Sequence, residues 1–308
     1  MSIETPRLRI GVIGTGSLGR HHVRILSTLA DVEMVGAFDI DTEVCRRVTD
    51  EFGVRAVADL DTLAGAIDAA VVAVPTVDHA QVGRALLERG IHVLVEKPIA
   101  PTLAEADQLV EAATDSVLAV GHVEFFNPAV EQLLAIDQRP GFIEVHRLAA
   151  FSPRSLDVDV VLDLMIHDLQ IMHALDDSPV AEVRATGISV LSDRIDIANS
   201  RIALTSGCVA NLTASRVSAE RVRKLRAFLP SRGYYSVDYQ DQEVKGFKLE
   251  QVGEDRQIVP DPLQVAKQEP LKRELECFVA ACRGEPGPLV DGVQGRRALK
   301  TAHRVLQA

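Results

Sequence analysis

Three side chains in this sequence are suited to moving a proton, namely Lys97, Asp163 and His167. Asp163 and His167 are four residues apart in a predicted helix, so they project from one face, within reach of each other or of a common ligand. A carboxylate beside an imidazole orients the ring and stabilises the imidazolium, as a base that removes a hydroxyl proton requires. The Lys97 ammonium can donate to a substrate oxygen. An ordinary Asp–His helix contact and a surface Lys97-Pro98 turn are the alternatives.

A glycine-rich segment near the start of the chain has the form of a dinucleotide-binding turn. Gly14, Gly16 and Gly19 lie between an apolar run and a helix-like stretch. The first glycine permits a tight turn, the second lets the backbone approach a pyrophosphate, and the third lets the helix pack on the strand. The N–H groups and dipole at the helix N-terminus favour an anion there. We therefore predict dinucleotide contacts from Gly14, Gly16, Ser17, Leu18 and Gly19.

Asp39 indicates which dinucleotide is bound. It closes the next apolar run, twenty-three residues after Gly16. A carboxylate at this place accepts hydrogen bonds from the ribose hydroxyls and repels a 2′-phosphate. The next residue is Ile40 and not an arginine, so the sequence favours NAD over NADP. The alternative role for Asp39, capping the following helix, suits Asp41 better.

Alternating strands and helices over the first 120 residues would position these groups. The predicted strands are Leu8–Ile13, Glu33–Phe38, Ala69–Ala73, His92–Val95 and Val117–Val120. Helical segments such as Val77–Arg89 and Leu103–Ala113 separate them, and this βαβ pattern predicts a parallel, doubly wound Rossmann sheet. Ligands of such sheets bind outside the carboxyl ends of the strands, where Lys97 follows the fourth strand.

The pattern after Gly121 differs and predicts a second domain. Short turns join successive β runs, which favours an open, mainly antiparallel sheet. These runs are Phe142–Ala150, Val183–Val190, Asp196–Leu204, Cys208–Ser215, Lys224–Leu229 and Tyr234–Asp238. The predicted helices are Pro128–Ile136, Val160–Leu175, Leu271–Arg283 and Val293–Leu306. We predict an α/β domain over residues 1–121 and an α+β domain for substrate binding and oligomerisation over residues 122–308, with a C-terminal helix that could pack on the first domain.

Composition and charge limit the partners and the location. The net charge of −11, with 44 acids and 33 bases, argues against nucleic acid or an anionic membrane as a partner. The one dense basic run, residues 221–226, suggests a solvated strand or turn, or else a contact with an anionic substrate or another subunit. No stretch resembles a signal peptide or a membrane span. The four cysteines lack metal-site spacing, so we expect reduced thiols, no metal and a cytoplasmic protein.

Four motifs, in order along the chain, together resemble the glucose-fructose oxidoreductase/inositol dehydrogenase (Gfo/Idh/MocA) family. They are the glycine turn, Val74-Pro75-Thr76 followed by His79, Glu96-Lys97-Pro98, and Asp163-x-x-x-His167-Asp168. The resemblance implies an N-terminal NAD(P)-binding Rossmann domain and a C-terminal domain whose open sheet usually mediates oligomerisation. It also implies oxidation or reduction of a sugar, a cyclitol or a sugar nucleotide.

The same resemblance implies roles for individual residues. Lys97 is expected to be the hydrogen-bonding acid/base group near the nicotinamide, His167 the proton acceptor, and Asp163 the group that orients His167. The peptide bond between Lys97 and Pro98 is expected to be cis. The cofactor-binding set is extended by Pro75, Thr76, His79 and Glu96.

A second stretch resembles the branch of this family that contains UDP-N-acetylglucosamine 3-dehydrogenases. The residues are Asn127-Pro128 with their neighbours and the segment from Asp157 to Asp168, whereas Phe125 stands where that branch usually has an arginine. Substrate contacts are expected from Asn127, Arg154 and Asp168. The implied protein is a homodimer or homotetramer that oxidises the sugar 3-hydroxyl with NAD. A dehydrogenase of a free sugar or inositol, and a non-catalytic NAD-binding regulator, are the alternatives.

Overall fold

The computed structural model describes residues 6–151, 158–253 and 255–308. The chain divides into two compact units, Met1–His122 with Leu271–Arg296 and Val123–Pro270 with Arg297–Ala308. The sequence assigned residues 122–308 to the second domain and allowed a C-terminal helix to pack on the first; in the structure Leu271–Arg296 group with the first unit. Arg154, predicted to contact the substrate, lies outside the described residues, as does Asp157. Within the described part, no helix is long and apolar enough to cross a membrane.

The first unit contains the predicted parallel sheet, with five strands in the order β2-β1-β3-β4-β5. The strands are β1 Leu8–Ile13, β2 Val32–Phe38, β3 Ala69–Val72, β4 His92–Glu96 and β5 Leu118–Gly121. Every paired strand in this sheet runs parallel to its neighbour, which confirms the doubly wound fold. The chain order reverses at β1 and β3, and ligands of open α/β sheets bind outside such a switch point.

Helices connect these strands, and their capping agrees with the sequence. They are α1 Gly19–Leu26, α2 Thr42–Phe52, α3 Leu60–Ala64, α4 His79–Leu87 and α5 Leu103–Ala112. The Asp41 side chain caps α2 by accepting hydrogen bonds from the amides of Glu43 and Val44, each at 3.0 Å. Capping at Asp41 leaves the Asp39 carboxylate available for another role, as the sequence indicated.

The later helices include one departure from regular α-helix. The chain has α6 Pro128–Leu134, α7 Ile166–Leu175, α8 Pro270–Cys282 and α9 Gly292–Gln307. Immediately before α7, Val161–Met165 forms a π-helical turn where the sequence predicted a continuous α-helix. A π-turn takes an extra residue into the hydrogen-bonded ring, and such turns occur frequently at functional sites. This one contains Asp163.

The second unit is built on an eight-stranded sheet in the order β13-β12-β11-β10-β6-β9-β8-β7. Its strands are β6 Phe142–Leu148, β7 Val180–Ile188, β8 Ile197–Leu204, β9 Val209–Ser215, β10 Val222–Leu229, β11 Gly233–Asp238, β12 Glu243–Val252 and β13 Asp255–Pro260. The predicted antiparallel pairing is confirmed except that β6 and β9 run parallel. The sequence did not predict β12 and β13. Most of β13 is exposed, so its sequence lacks the apolar alternation by which a strand is recognised.

The two faces of this sheet differ. Alternate residues of β6, β9 and β10 are buried in the core of the second unit, and the intervening residues lie on a half-exposed face. Four aromatic rings on neighbouring strands line up there: Phe142, Phe228, Tyr234 and Phe247, with centroids 5.6, 5.6 and 5.4 Å apart. We call this row the aromatic stack. Such a contiguous apolar surface is a feature of interaction sites.

Candidate active site

The glycine turn of the first unit has the shape that a dinucleotide pyrophosphate requires. Gly14 has a φ of +87°, and a Cβ at Gly19 would collide with the Gly14 carbonyl oxygen. A Cβ at Gly16 would meet nothing within 4 Å, and Gly16, Ser17 and Leu18 are exposed. The first turn of α1 has no acidic residue and no side-chain cap at Leu18, so the helix N-terminus is suited to an external anion.

Asp39 lies beside this turn and supports it. One carboxylate oxygen accepts from the Thr15 amide at 2.6 Å and from the Thr15 hydroxyl at 3.0 Å, and the other accepts from the Asp41 amide at 2.9 Å. A carboxylate offers about four acceptor positions. These three bonds therefore leave room for a ribose hydroxyl, and the site fits the adenosine half of a nicotinamide dinucleotide.

Lys97 follows β4, at the carboxyl edge of the sheet, and is half-buried. The bond between Lys97 and Pro98 is cis, as the family resemblance implied. Glu96 is buried, and its carboxylate accepts from His22 Nε2 at 2.8 Å and from the Lys97 amide at 3.2 Å. Burial opposes ionisation, but the His22 hydrogen bond holds the pKa of Glu96 below its ordinary value. These contacts take one acceptor position on each Glu96 oxygen, and the assignment of Glu96 to the cofactor site stays a prediction.

His79 is also buried and contacts the backbone. Its ring is buried between two backbone carbonyls, with Nδ1 2.9 Å from Pro98 O and Nε2 3.0 Å from Val74 O. Burial lowers the pKa of His79. The ring thus contacts the backbone on both sides, and a cofactor contact from His79 stays a prediction. Pro75 is exposed and Thr76 is half-buried at the same strand end, so both stay candidates for cofactor contacts.

Two buried histidines near Lys97 were not predicted. His122 follows β5, and burial together with Lys97 lowers its pKa to about 3, so the ring is neutral at physiological pH. His22 lies on the buried face of α1 with Gly19 and Val23. A polar side chain at an apolar helix position needs a hydrogen-bonding partner. That rule, applied to the spacing of His22 in α1, would have identified it.

In the second unit, Asp163 lies in the π-helical turn and His167 in the first turn of α7. Asp163 is half-buried, and His167 is 8% exposed. The predicted helix is therefore present, although its first turn is not α-helical. Their assignment as an orienting acid and a base stays a prediction.

Asp168, the neighbour of His167, is buried in an ion-pair network that we call the Arg147 network. Arg147 donates two hydrogen bonds to the Asp168 carboxylate, each 2.7 Å long, and one of 2.8 Å to Glu124. The Tyr239 hydroxyl adds a bond of 3.3 Å to Asp168, and its ring lies 5.0 Å from the Arg147 guanidinium. The guanidinium bonds to both Asp168 oxygens, which gives this side chain a structural role, and a substrate contact from Asp168 stays a prediction.

The charges of this network depend on one another. Burial alone would lower the pKa of Arg147, but Asp168 and Glu124 together raise it well above its ordinary value. Burial raises the pKa of Asp168, and Arg147 opposes that rise. The bidentate geometry requires an ionised acceptor, so we take Asp168 to be a carboxylate held by Arg147. Arg147 was not predicted, yet it occupies a core position in the alternation of β6 after Ile143 and Val145, which signals a buried charge with partners.

The Asn127 side chain also forms hydrogen bonds within the second unit. Its side-chain oxygen accepts from the Ala129 amide at 3.1 Å and caps α6, and its amide donates to Tyr239 O at 2.9 Å. A substrate contact from Asn127 stays a prediction. Phe125, which departs from the branch pattern, packs edge-on against Phe126 with centroids 5.2 Å apart.

The basic run is largely neutralised within the sheet. Arg223 lies 3.4 Å from Glu124, Lys224 lies 3.5 Å from Asp238, and Arg226 pairs with Glu144. The solvated-strand interpretation of residues 221–226 therefore fits β10 better than a diphosphate site does. No group of three or more His, Cys, Asp or Glu side chains in the described part of the chain could hold a metal ion.

Known proteins resemble part or nearly all of this chain. The profile of the oxidoreductase family with an NAD-binding Rossmann fold matches residues 8–122. UDP-N-acetylglucosamine 3-dehydrogenase of Acidithiobacillus ferrooxidans is 36% identical over 97% of this chain and 96% of its own. A solved structure of that enzyme superposes with a TM-score of 0.90 at 35% identity, covering 98% of this chain and 97% of the enzyme. Inositol 2-dehydrogenase of Acidothermus cellulolyticus is 31% identical over 58% of this chain and 56% of its own. The chain is thus a member of the Gfo/Idh/MocA family of NAD-binding oxidoreductases.

Proposed function

We propose that this protein is an NAD-dependent dehydrogenase that oxidises the 3-hydroxyl of UDP-N-acetylglucosamine or a close UDP-sugar. The observation that carries the proposal is the extent of the similarity to the Acidithiobacillus ferrooxidans enzyme, which covers 97% of this chain. That match includes the unit with Asp163 and His167. The resemblance to inositol 2-dehydrogenase covers only 58% of the chain, so a free sugar or inositol is the second candidate.

The proposed reaction assigns proton handling to residues of this chain. When bound, the nicotinamide dinucleotide supplies the hydride acceptor. His167 removes the proton of the substrate hydroxyl, and Asp163 orients the ring and stabilises the imidazolium. The Lys97 ammonium donates a hydrogen bond to the same substrate oxygen. This bond stabilises the negative charge that develops on the oxygen when its proton is removed, before the carbonyl is complete. The glycine turn and Asp39 hold the dinucleotide. Arg154 stays a proposed contact for the diphosphate, since arginine donates two hydrogen bonds to phosphate oxygens.

Substrate profiling tests the proposed function directly. We expect NADH formation with UDP-N-acetylglucosamine, and little or none with free N-acetylglucosamine or with inositol, measured by absorbance at equal concentrations. Turnover of free sugars or inositol alone would favour the second candidate. Binding of NAD without turnover of any substrate would indicate a regulator, although the presence of Lys97, Asp163 and His167 in one chain argues for catalysis.

Cofactor choice provides a separate prediction. We expect the protein to bind NAD more tightly than NADP, because the Asp39 carboxylate repels a 2′-phosphate and accepts from ribose hydroxyls. Asp39→Ala should weaken NAD binding more than NADP binding in fluorescence titrations. This substitution also removes the contacts to Thr15. The matched control is Thr15→Ala, which should change both affinities by a similar factor. Equal affinities in the unmodified protein would contradict the assignment to NAD.

We also propose that the protein is a homodimer or homotetramer assembled through the half-exposed face of the second sheet. The aromatic stack supports this, because a contiguous apolar surface favours association. We expect light scattering at micromolar concentration to give a multiple of the 33.4 kDa chain mass. Tyr234→Arg in the stack should lower that mass, whereas Val293→Arg, at an exposed apolar residue of α9, should not. A monomer mass for the unmodified protein would reject the proposal.

A further inference from the structure

The backbone on both sides of Lys97 is held by buried histidines from other elements of the first unit. On one side, His22 Nε2 lies 2.8 Å from a Glu96 carboxylate oxygen, and the other carboxylate oxygen accepts from the Lys97 amide at 3.2 Å. On the other side, His79 Nδ1 lies 2.9 Å from Pro98 O. His22 and His79 are 0% and 1% exposed. Neither ring can therefore exchange its protein partner for bulk water.

The hydrogen bond between His22 and Glu96 has one possible direction. An ionised carboxylate only accepts, so His22 Nε2 carries the hydrogen and donates it. Hydrogen bonds to charged groups are shorter and stronger than neutral ones, in agreement with the 2.8 Å distance. His22 is three residues beyond Gly19 in α1, the helix that begins in the glycine turn. Glu96 thus links the element that would hold the pyrophosphate to the amide of Lys97.

His79 faces two carbonyl oxygens, Pro98 O at 2.9 Å and Val74 O at 3.0 Å. Carbonyl oxygens only accept, and a neutral imidazole has a single N–H. Because burial keeps this ring neutral, it donates to one of the two carbonyls at a time. When His79 Nδ1 donates to Pro98 O, the hydrogen bond fixes the backbone position of the residue directly after Lys97.

We propose that His22 and His79 are positioning residues for Lys97, His22 acting through the Glu96 carboxylate and His79 through the Pro98 carbonyl. The inference rests on the proposed function, in which Lys97 contacts the substrate oxygen. Lysine has a flexible four-carbon stem, so the direction of its ammonium depends on where its own backbone is fixed. Two buried hydrogen bonds to the residues before and after it supply that restraint.

Losing either of these hydrogen bonds should lower kcat, but by less than removing the Lys97 side chain does. A displacement of about 1 Å in a reacting group can cost roughly 10²-fold in rate. We therefore expect losing one contact to lower kcat by about ten- to a hundredfold, with a smaller change in KM, because substrate binding uses other groups as well.

Asparagine and glutamine variants separate the two ring nitrogens. An asparagine amide nitrogen falls close to the place of histidine Nδ1, and a glutamine amide nitrogen falls close to that of Nε2. His22→Gln should therefore keep the bond to Glu96 and most of kcat, whereas His22→Asn should lose both. The order reverses at the other histidine: His79→Asn should keep the bond to Pro98, and His79→Gln should lose it. A general effect on packing would not produce opposite orders at the two places.

A second readout does not depend on turnover. Acetic anhydride acetylates the neutral form of the Lys97 amine, with release of acetate. The rate of this reaction, followed by mass spectrometry at fixed pH, reports how accessible that amine is. We expect the acetylation rate to change in His22→Asn and His79→Gln. In His22→Gln and His79→Asn it should stay near the rate of the unmodified protein. The control is His92→Gln, at the other end of β4, where the ring accepts from the Val117 amide at 2.9 Å. It should lower the melting temperature without altering kcat or Lys97 acetylation.

The results discriminate between the inference and the proposed function. Normal turnover in Lys97→Ala would reject the role of Lys97, while the acetylation rates would still show whether the histidines position it. Equal kcat and equal acetylation in the asparagine and glutamine variants of both histidines would overturn the inference. If His22→Asn does not fold, Glu96→Gln serves in its place, because it keeps the shape and removes the charge to which His22 donates. Unchanged kcat and acetylation in Glu96→Gln would likewise overturn the His22 part of the inference.

Discussion

We expect Lys97→Ala and His167→Ala each to lower kcat by roughly 10²- to 10⁴-fold, the usual contribution of a positioned acid or base. Cofactor affinity should change little, because neither side chain belongs to the glycine turn or contacts Asp39. Asp163→Asn should cost as much as His167→Ala or less, since it removes the group that orients the base and leaves the base in place. The sites of these three changes lie after β4 and around the start of α7.

The measurement is steady-state kinetics with UDP-N-acetylglucosamine and NAD, together with NAD titrations of each variant. Lys300→Ala is the matched control, because Lys300 is an exposed lysine of α9 outside the proposed site. It should leave kcat unchanged. A His167→Ala variant with near-normal turnover would remove the proposed base. A loss of NAD binding equal to the loss of kcat would show that the substitution had damaged the fold and not the chemistry.

The fold could be predicted where apolar pattern and burial coincide. The five parallel strands are nearly continuous apolar runs, because strands covered on both faces must be apolar throughout, and β1 agrees with its predicted bounds, Leu8–Ile13. The outer strands of the second sheet could not be predicted in the same way. β13 is exposed along most of its length, so burial did not constrain its residues to any period. Its pairing with β12 is an outcome of the tertiary structure.

In the candidate site, the sequence could not predict the hydrogen-bond partners of the polar side chains. Motif spacing predicted the backbone places of Glu96, His79, Asp168 and Asn127, but not which of their polar atoms other residues already occupy. In the structure these atoms bond within their own unit. A chain that buries a polar group must satisfy it, and the partner is fixed by packing and not by sequence distance. The one available signal was a polar residue at a core position, as Arg147 is in β6.

The Arg147 network leads to the largest stability effect that we predict. Arg147→Met keeps most of the side-chain volume but leaves Glu124 and Asp168 buried without their cation. Removing one partner of a buried ion pair usually costs about 3–5 kcal/mol, a large part of a typical unfolding free energy of about 5–15 kcal/mol. We therefore expect a marked fall in the denaturant midpoint. Arg226→Met, which breaks a half-exposed pair with Glu144, should cost only about 0–1 kcal/mol.

The pH dependence of that loss distinguishes unpaired charge from lost packing. Burial already raises the pKa of Asp168 from its ordinary 3.8, and without Arg147 it should rise further. A carboxyl group whose folded pKa is raised destabilises the protein above its unfolded pKa, and the penalty disappears as pH falls toward that value. The stability deficit of Arg147→Met should therefore shrink between neutral pH and about pH 4. Adding Asp168→Asn and Glu124→Gln should restore part of the stability at neutral pH. A deficit that stays constant with pH and is not relieved by these changes would assign the effect to packing around the lost guanidinium.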